Sequence, residues 1–200
     1  MAAMDEMREV KVCILGDTGV GKSSMVIKFV TGTFNPYQEP TIGASYMQKV
    51  MSHAGQTFKM QIWDTAGQER YHSLAPMYYK GASAAVLVFD ITRAGSFKTL
   101  TQWIDELKVQ GPENIALGIA ANKADLQDSR TVDEDEAREY AESIGALYFE
   151  TSAKEDNEGN VSKLFTGLLE RLPPPPVRRK EDDVLQLNRL VQKEEKQKCC

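Results

Sequence analysis

A glycine-rich stretch at residues 16–23 carries the residue types that bind phosphate groups. It consists of Gly16-Asp17-Thr18-Gly19-Val20-Gly21-Lys22-Ser23, which matches the spacing G-x-x-x-x-G-K-[ST]. The glycines let backbone N–H groups turn inward around phosphate oxygens, where side chains would clash. Lys22 supplies a positive charge for β- and γ-phosphates, and the hydroxyl of Ser23 suits Mg²⁺. The motif indicates a nucleoside triphosphate; the alternative, a chance glycine-rich turn, is disfavoured by the apolar run before it and the helical pattern after it.

A second group of polar residues, Asp64-Thr65-Ala66-Gly67-Gln68, directly follows another apolar run. A carboxylate at the end of a strand can hold Mg²⁺ through water, which is the role expected for Asp64. Gly67 can bring a backbone N–H to a γ-phosphate, and Gln68 can orient an attacking water. Taken alone, the stretch is also compatible with an ordinary exit from a strand.

Two further stretches favour a guanine nucleotide, and a third can contact Mg²⁺ and the γ-phosphate. In Asn122-Lys123-Ala124-Asp125, the final carboxylate can accept from both the ring N–H and the exocyclic amine of guanine, whereas adenine offers no such pair. The backbone of Ser152-Ala153-Lys154 can contact the base carbonyl. Thr41 lies in a polar, proline-containing loop at residues 34–43, where its hydroxyl and N–H can reach Mg²⁺ and the γ-phosphate. Such a loop is ordered only when that phosphate is present.

These groups need a scaffold that gathers several strand ends, and the chain alternates apolar runs with helical patterns accordingly. The patterns predict strands at 10–15, 45–52, 57–63, 84–89, 115–121 and 146–150, and helices at 22–31, 73–80, 96–110, 133–144 and 161–172. A hairpin signal at 53–56 separates two strands of mixed polarity, so the second strand is expected to be an antiparallel edge. The prediction is a three-layer α/β P-loop domain with a six-stranded, mostly parallel sheet, one antiparallel edge strand and about five helices.

Composition agrees with one globular domain and excludes several classes of protein. The 200 residues are 42% hydrophobic and 26% charged, with a formal net charge of −5, so no nucleic-acid partner is expected. No apolar run is long enough to span a membrane, and the polar first residues do not resemble a secretory signal. We expect a flexible segment at 1–8, the folded domain at 9–172 and a flexible, hypervariable tail at 173–200 that ends in Cys199-Cys200.

Together these motifs resemble the small GTPases of the Ras superfamily and, among them, the Rab branch. The Rab-like segments are residues 42–46, 59–64, 68–71, 78–82 and 87–92. Residues 16–24 and 71–79 are similar to the early-endosomal subgroup, the Rab-five and Rab-twenty-two relatives. The resemblance covers residues 9–172 and the final Cys199-Cys200.

The resemblance implies a role for each matching position. GTP or GDP would be bound by Thr18, Gly19, Val20, Gly21, Lys22, Ser23, Ser24, Phe34, Thr41, Gly67, Asn122, Lys123, Asp125, Ser152, Ala153 and Lys154. Mg²⁺ would be held by Ser23, Thr41 and Asp64, and Gln68 would be catalytic. Effectors would be met by Ile42, Tyr46, Trp63, Tyr71 and Tyr78, although packing between strand and helix is an alternative for the aromatic residues Tyr46, Trp63 and Tyr78. Cys199 and Cys200 would carry geranylgeranyl groups.

The implied function is a monomeric GTP-hydrolysing switch in vesicle transport and membrane fusion. Its expected partners are effectors, an exchange factor, a GTPase-activating protein, a Rab escort protein and a dissociation inhibitor. It is expected on the cytoplasmic face of early endosomes or the plasma membrane, with a cytosolic GDP-bound pool. Thr18 replaces the glycine of Ras itself, so slow intrinsic hydrolysis is expected. Two alternatives are a GTP-binding scaffold with little turnover and a P-loop kinase or ATPase, the latter disfavoured by Asp125 and its neighbours.

Overall fold

The computed structural model describes residues 7–68 and 74–174. Most of the predicted flexible segment at 1–8 and most of the predicted tail at 173–200 lie outside these residues, as does Tyr71. Cys199 and Cys200 also lie outside them. The described residues include all of the predicted folded domain except 69–73, and every predicted nucleotide-binding residue.

The sheet has six strands in the order β2-β3-β1-β4-β5-β6. Their bounds are β1 Arg8–Leu15, β2 Ala44–His53, β3 Gln56–Thr65, β4 Ala84–Asp90, β5 Ala116–Asn122 and β6 Leu147–Thr151. Only the edge strand β2 runs antiparallel to its neighbour β3, and every other pairing among the described residues is parallel. The two-residue turn at Ala54 and Gly55, both with positive φ, joins β2 to β3 as a tight hairpin. The predicted sheet and its antiparallel edge are thus confirmed.

Five α-helices accompany the sheet in the described residues, with a short 3-10 helix at Ala124–Ser129. They are α1 Lys22–Thr31, α2 Ala75–Tyr79, α3 Ala94–Gln110, α4 Glu134–Ser143 and α5 Asn160–Glu170. The first helix begins and ends as predicted. The second ends one residue before the predicted end at 80, because Lys80 leaves the helical conformation and Gly81 turns the chain with a φ of 70°. Residue 73, where this helix is predicted to begin, lies outside the described residues. The third begins two residues earlier than predicted, directly after the extended residue Arg93.

The helices cover the two faces of the sheet and enclose two apolar cores. On one face, α1 and α5 pack together through Phe29 and Phe165, whose rings stack at 3.9 Å. On the other face, α2, α3 and α4 pack on the sheet, and Trp103 is buried there as the helical periodicity predicts. Among the described helices, none combines the length and the apolar character needed to cross a membrane.

The topology brings the functional motifs to one edge of the sheet. Because β1, β3, β4, β5 and β6 are parallel, their carboxyl ends lie side by side. The last residues of these strands are Leu15, Thr65, Asp90, Asn122 and Thr151. Each predicted motif follows one of these strand ends or lies next to it in space, so this edge carries the candidate site.

Candidate functional site

The turn between β1 and α1 is a tightly folded backbone loop. Gly16, Gly19 and Gly21 have positive φ angles of 139°, 75° and 95°, a region that other residues rarely adopt. A Cβ atom on Gly21 would lie 2.4 Å from Nδ2 of Asn122, so a side chain is excluded there. Gly21 is also the N-cap of α1 and supplies no side-chain cap. The loop therefore presents free backbone donors at a helix N-terminus, as phosphate binding requires.

Lys22 places its ammonium group within this loop. Its Nζ donates hydrogen bonds of 2.7 Å to the backbone carbonyl oxygens of Gly16 and Asp17. The residue is 6% exposed. Burial lowers the pKa of Lys22 to about 8, against the attraction of the Asp64 and Asp17 carboxylates. An anionic ligand at this point would offset the cost of burying the cation.

Three oxygen-bearing side chains converge beside the loop. The hydroxyl of Ser23 donates to Oδ2 of Asp64 at 2.5 Å and lies 2.6 Å from Oγ1 of Thr41. The Thr41 hydroxyl also donates to the same carboxylate oxygen at 3.3 Å. Thr41 belongs to the loop at 34–43, which is tied to the end of β3 because Ala66 N–H donates to the carbonyl of Gly43 at 2.8 Å.

This cluster fits a hard divalent cation. The carboxylate of Asp64 is 2% exposed, and its Oδ1 has no hydrogen-bond partner among the described residues. Burial raises the pKa of Asp64, while the hydroxyl of Ser23 and the charge of Lys22 act in the opposite direction. A buried carboxylate with an unsatisfied oxygen, flanked by two hydroxyls, is a donor set that Mg²⁺ prefers.

Gly67 packs directly on the phosphate-binding loop. A Cβ at this position would lie 2.4 Å from the backbone carbon of Asp17 and 2.4 Å from Nζ of Lys22. The backbone of Gly67 is therefore within reach of a ligand held by Lys22. Gln68 follows directly and is the last described residue before the gap at 69–73.

The opposite end of the site is built from the ends of β5 and β6. Asn122 is 1% exposed; its amide donates to the carbonyl of Val20 at 2.8 Å and accepts from Oγ1 of Thr151 at 3.2 Å. Asp125 accepts a hydrogen bond of 2.6 Å from the hydroxyl of Ser152. Ser152 in turn accepts from the backbone N–H groups of residues 154 and 155. The Asp125 carboxylate is thus fixed in orientation before any ligand arrives.

Lys123 has an unusual backbone and a partner that the sequence motifs do not predict. It adopts a left-handed conformation with φ of 65°, uncommon for a residue with a side chain. Its Nζ lies 2.6 Å from Oδ2 of Asp90, which is 1% exposed at the end of β4. Burial raises the pKa of Asp90, but hydrogen bonds from Lys123 and Thr92 outweigh burial and hold it below its ordinary value. The sequence feature that could have identified Asp90 is its position as the single acidic residue at the end of an apolar strand, whose seven residues are all buried.

Most of these groups border one cavity of about 470 Å³, a size suited to a nucleotide. Its walls include the predicted residues Thr18, Gly19, Gly21, Lys22, Ser23, Ser24, Phe34, Thr41, Gly67, Asn122, Lys123, Asp125, Ala153 and Lys154. Val20 and Ser152 are predicted residues that lie behind the wall, where they brace Asn122 and Asp125. Asp64 lines an adjoining groove together with Ser23 and Thr41.

A family model covers nearly all of this domain: the model for the Ras family matches residues 11–173. The chain belongs to the Ras family. Ras-related protein Rab-31 from Homo sapiens is 57% identical over 171 residues, which cover 86% of this chain and 87% of that protein. Ras-related protein Rab-22A from Homo sapiens is 53% identical, covering 84% and 85%. Ras-related protein Rab5 from Nicotiana tabacum is 52% identical, covering 82% and 80%.

Membership of the Ras family defines the reaction and its cofactors. The protein is a small GTPase that binds GTP and GDP with Mg²⁺ and hydrolyses GTP to GDP. Its similarity to several Rab proteins makes it a GTP-dependent switch in vesicle transport. The predicted family, fold class and enzymatic activity are confirmed, and a P-loop kinase or ATPase is excluded. The alternative of a scaffold with little turnover gains no support.

Three of the five residues expected to face effectors of this Ras-family GTPase, Tyr46, Trp63 and Tyr78, form a partly exposed aromatic row. The ring centroids of Tyr46 and Trp63 are 5.3 Å apart, and those of Trp63 and Tyr78 are 5.7 Å apart. Tyr46 is 47% exposed, and Ile42, another residue expected to face effectors, is 78% exposed. The predicted partner Tyr71 lies outside the described residues. The row joins the β2–β3 hairpin to α2 and is accessible to another protein.

Proposed function

We propose that this Rab-like GTPase signals through the loop at 34–43 and the segment at 64–68, which GTP and Mg²⁺ hold together. The observation that carries the proposal is the convergence of Ser23, Thr41 and Asp64, with Gly67 packed on the phosphate loop. These groups come from three separate segments of the chain. Loss of the γ-phosphate would remove a shared ligand and release both loops, so an effector that contacts them distinguishes the two states.

Each residue of the site has a proposed role. Backbone donors at 19–24 and the ammonium of Lys22 bind the phosphates, while Ser23, Thr41 and Asp64 hold Mg²⁺. When bound, Mg²⁺ neutralises charge on the β- and γ-phosphate oxygens. Asn122, Lys123, Asp125, Ala153 and Lys154 form the base pocket, with Ser152 supporting Asp125 from behind its wall. Phe34, which is 38% exposed, flanks the base. The hydrogen bond from Ser152 supports the assignment of Asp125 as the guanine acceptor, because it fixes that carboxylate.

Competition binding tests the base pocket. GTP, GDP and ATP compete for a fluorescent guanine nucleotide on the full-length chain, with Mg²⁺ and with EDTA. We expect Mg²⁺-dependent guanine binding that Asp125→Asn weakens strongly, because an amide cannot accept from both donors of guanine. Asp128→Asn is the matched control, since Asp128 is an exposed acid of the same 3-10 helix. Equal binding of ATP, or no effect of Asp125→Asn, would contradict the assignment.

Hydrolysis tests the role of Gln68. We propose that Gln68 orients the attacking water and that the side chain of Thr18 keeps intrinsic hydrolysis slow. Single-turnover hydrolysis with a GTPase-activating protein should be fast in the wild type and abolished in Gln68→Leu. Gln102→Leu changes an exposed glutamine of α3 and should leave the rate unchanged. A Gln68→Leu rate equal to that of the wild type would refute the role of Gln68.

We further propose that the protein acts as a monomer on the cytoplasmic face of early endosomes or the plasma membrane. Prenyl groups on Cys199 and Cys200 would anchor it, and two chains are needed because one gives only marginal binding. A dissociation inhibitor would hold the GDP-bound pool in the cytosol, and an escort protein, exchange factor and GTPase-activating protein would complete the cycle. The relatives Rab-31, Rab-22A and Rab5 support the endosomal assignment.

Membrane flotation after enzymatic prenylation tests the anchor. The wild-type chain should float with liposomes, and a variant with Cys199→Ser and Cys200→Ser should remain in solution. Lys198→Gln, next to the cysteines, serves as the control. Flotation of the double variant would contradict a prenyl anchor at these positions.

A further inference from the structure

Arg93 lies outside every motif of the site, yet it contacts the phosphate-binding loop. It stands between β4 and α3, where it is the N-cap residue of α3. Its Nη2 donates a hydrogen bond of 2.8 Å to the backbone carbonyl of Thr18. Its Nη1 is 3.8 Å from the position that a Cβ on Gly19 would occupy. The guanidinium therefore lies against the carbonyl side of the peptide unit that joins Thr18 to Gly19.

Two carboxylates hold this guanidinium in place. Oδ2 of Asp17 is 3.7 Å from Nη2, and Oδ2 of Asp90 is 3.7 Å from Nε. Asp90 is itself fixed, because it accepts from the N–H and hydroxyl of Thr92 at 2.9 and 2.7 Å and pairs with Lys123. Arg93 is thus tethered to the rigid end of β4 while its tip reaches the loop.

The backbone of Thr18 is held on both sides. Oδ1 of Asp17 accepts a hydrogen bond of 2.7 Å from Thr18 N–H, and Arg93 donates to Thr18 C=O. The peptide that links Thr18 to Gly19 is planar and trans, so its N–H points opposite to its C=O. The N–H of Gly19 consequently points away from Arg93, and Thr18 and Gly19 both line the cavity.

We infer that Arg93 is a positioning residue that orients and polarises the Thr18–Gly19 peptide, so that Gly19 N–H is a stronger donor to the nucleotide phosphates. A cation bonded to the carbonyl draws electron density from the amide and strengthens the hydrogen bond made by its N–H. The fixed orientation also removes the need for the loop to reorganise when phosphate binds. This inference rests on the proposed role of the loop in binding phosphate.

The test compares Arg93→Ala, Arg93→Gln and Arg93→Lys in the full-length chain loaded with Mg²⁺ and GDP. Arg171→Ala is the matched control, because Arg171 is also an exposed arginine that donates to a backbone carbonyl, that of Gly145 at the far end of the domain. Two quantities are measured: the release rate of a fluorescent GDP and the ³¹P NMR shift of the β-phosphate. Circular dichroism melting checks that each variant is folded.

We expect Arg93→Ala to release GDP roughly tenfold faster, the size expected when a charge-assisted hydrogen bond is lost at a partly exposed site. Arg93→Lys should recover part of this loss, and Arg93→Gln should move the β-phosphate resonance because it lacks the charge. Arg171→Ala should match the wild type. These results would support the inference, and the Gln and Lys variants decide it even if Arg93→Ala does not fold.

Other outcomes would overturn the inference. A wild-type release rate and an unshifted β-phosphate resonance in the folded Arg93→Gln variant would show that Arg93 does not act on the phosphates. Melting changes without either effect would reduce Arg93 to a structural residue of α3. If the wild-type chain retains no GDP, the proposed phosphate site is wrong, and the role of Arg93 is wrong with it. If the wild type retains GDP and the Arg93 variants behave like it, only the role of Arg93 is wrong.

Discussion

Replacing Gly67 with alanine should weaken GTP binding selectively. The added Cβ would lie 2.4 and 2.5 Å from the backbone carbon and oxygen of Asp17, whereas ordinary contact begins near 3.4 Å. The backbone of the phosphate loop cannot yield, so the segment that follows β3 must withdraw by about 1 Å. Overpacking of this kind costs about 1–3 kcal/mol. At about 1.4 kcal/mol per tenfold, the ratio of GTP to GDP affinity should fall by roughly 5-fold to 140-fold.

Competition titration of GTP and GDP against a fluorescent guanine nucleotide, with Mg²⁺ present, measures this ratio. GDP affinity should stay near the wild-type value, because the proposed contact of Gly67 is with the γ-phosphate alone. Gly95→Ala is the control: a Cβ there meets no atom within 4 Å, and Gly95 lies in α3, where alanine favours the helix. An unchanged ratio in Gly67→Ala, or an equal loss of both nucleotides, would refute the reasoning.

Three further predictions concern charge and capping. The pKa of Lys22 is lowered to about 8, and bound phosphate should raise it, so the affinity for GTP should fall as the pH rises above about 8. Calorimetry of GTP binding at pH 8.5, in buffers of different ionisation enthalpy, should detect proton uptake, and the absence of proton uptake would contradict the prediction. Burial raises the pKa of Asp64, so the buried carboxylate destabilises the empty protein, and Asp64→Asn should melt no lower than the wild type in EDTA without nucleotide. The same variant should lose Mg²⁺-dependent retention of GTP. A lower melting temperature of Asp64→Asn in EDTA would show that the buried carboxylate does not destabilise the empty protein. The side chain of Asp133 caps α4 by accepting a hydrogen bond of 3.0 Å from Glu136 N–H. Asp133→Ala should therefore lower the free energy of unfolding, measured by urea titration, by about 1 kcal/mol. An unchanged free energy of unfolding would show that the cap contributes little.

Local patterns were sufficient to predict the framework of this domain. The start of α1 follows from Gly21, which ends the phosphate loop, and the antiparallel edge follows from the hairpin signal at Ala54 and Gly55. Buried strands and amphipathic helices can be predicted because each is specified by a pattern of apolar residues within the segment itself. Helix ends are less certain, as α2 illustrates, because its termination depends on the left-handed turn at Gly81.

Contacts between distant residues that belong to no motif were beyond the reach of these patterns. Arg93 and Thr18 are 75 positions apart, and nothing in the neighbourhood of either predicts their hydrogen bond. Sequence motifs assign the backbone of Ser152 to the base pocket, but they do not predict that its hydroxyl orients Asp125. A motif indicates which residues serve a site, but the folded chain decides which of them meet the ligand and which support those that do.

The amide of Asn122 has a consequence for how nucleotide preference can change in evolution. It joins the phosphate loop at Val20 to the end of β6 at Thr151, and Gly21 leaves no space for a larger group beside it. A replacement at Asn122 would therefore disturb phosphate binding and the base pocket together. Asp125 and Ser152 are joined by a hydrogen bond of their own that does not involve Asn122, so a new base preference can arise there while phosphate binding is preserved.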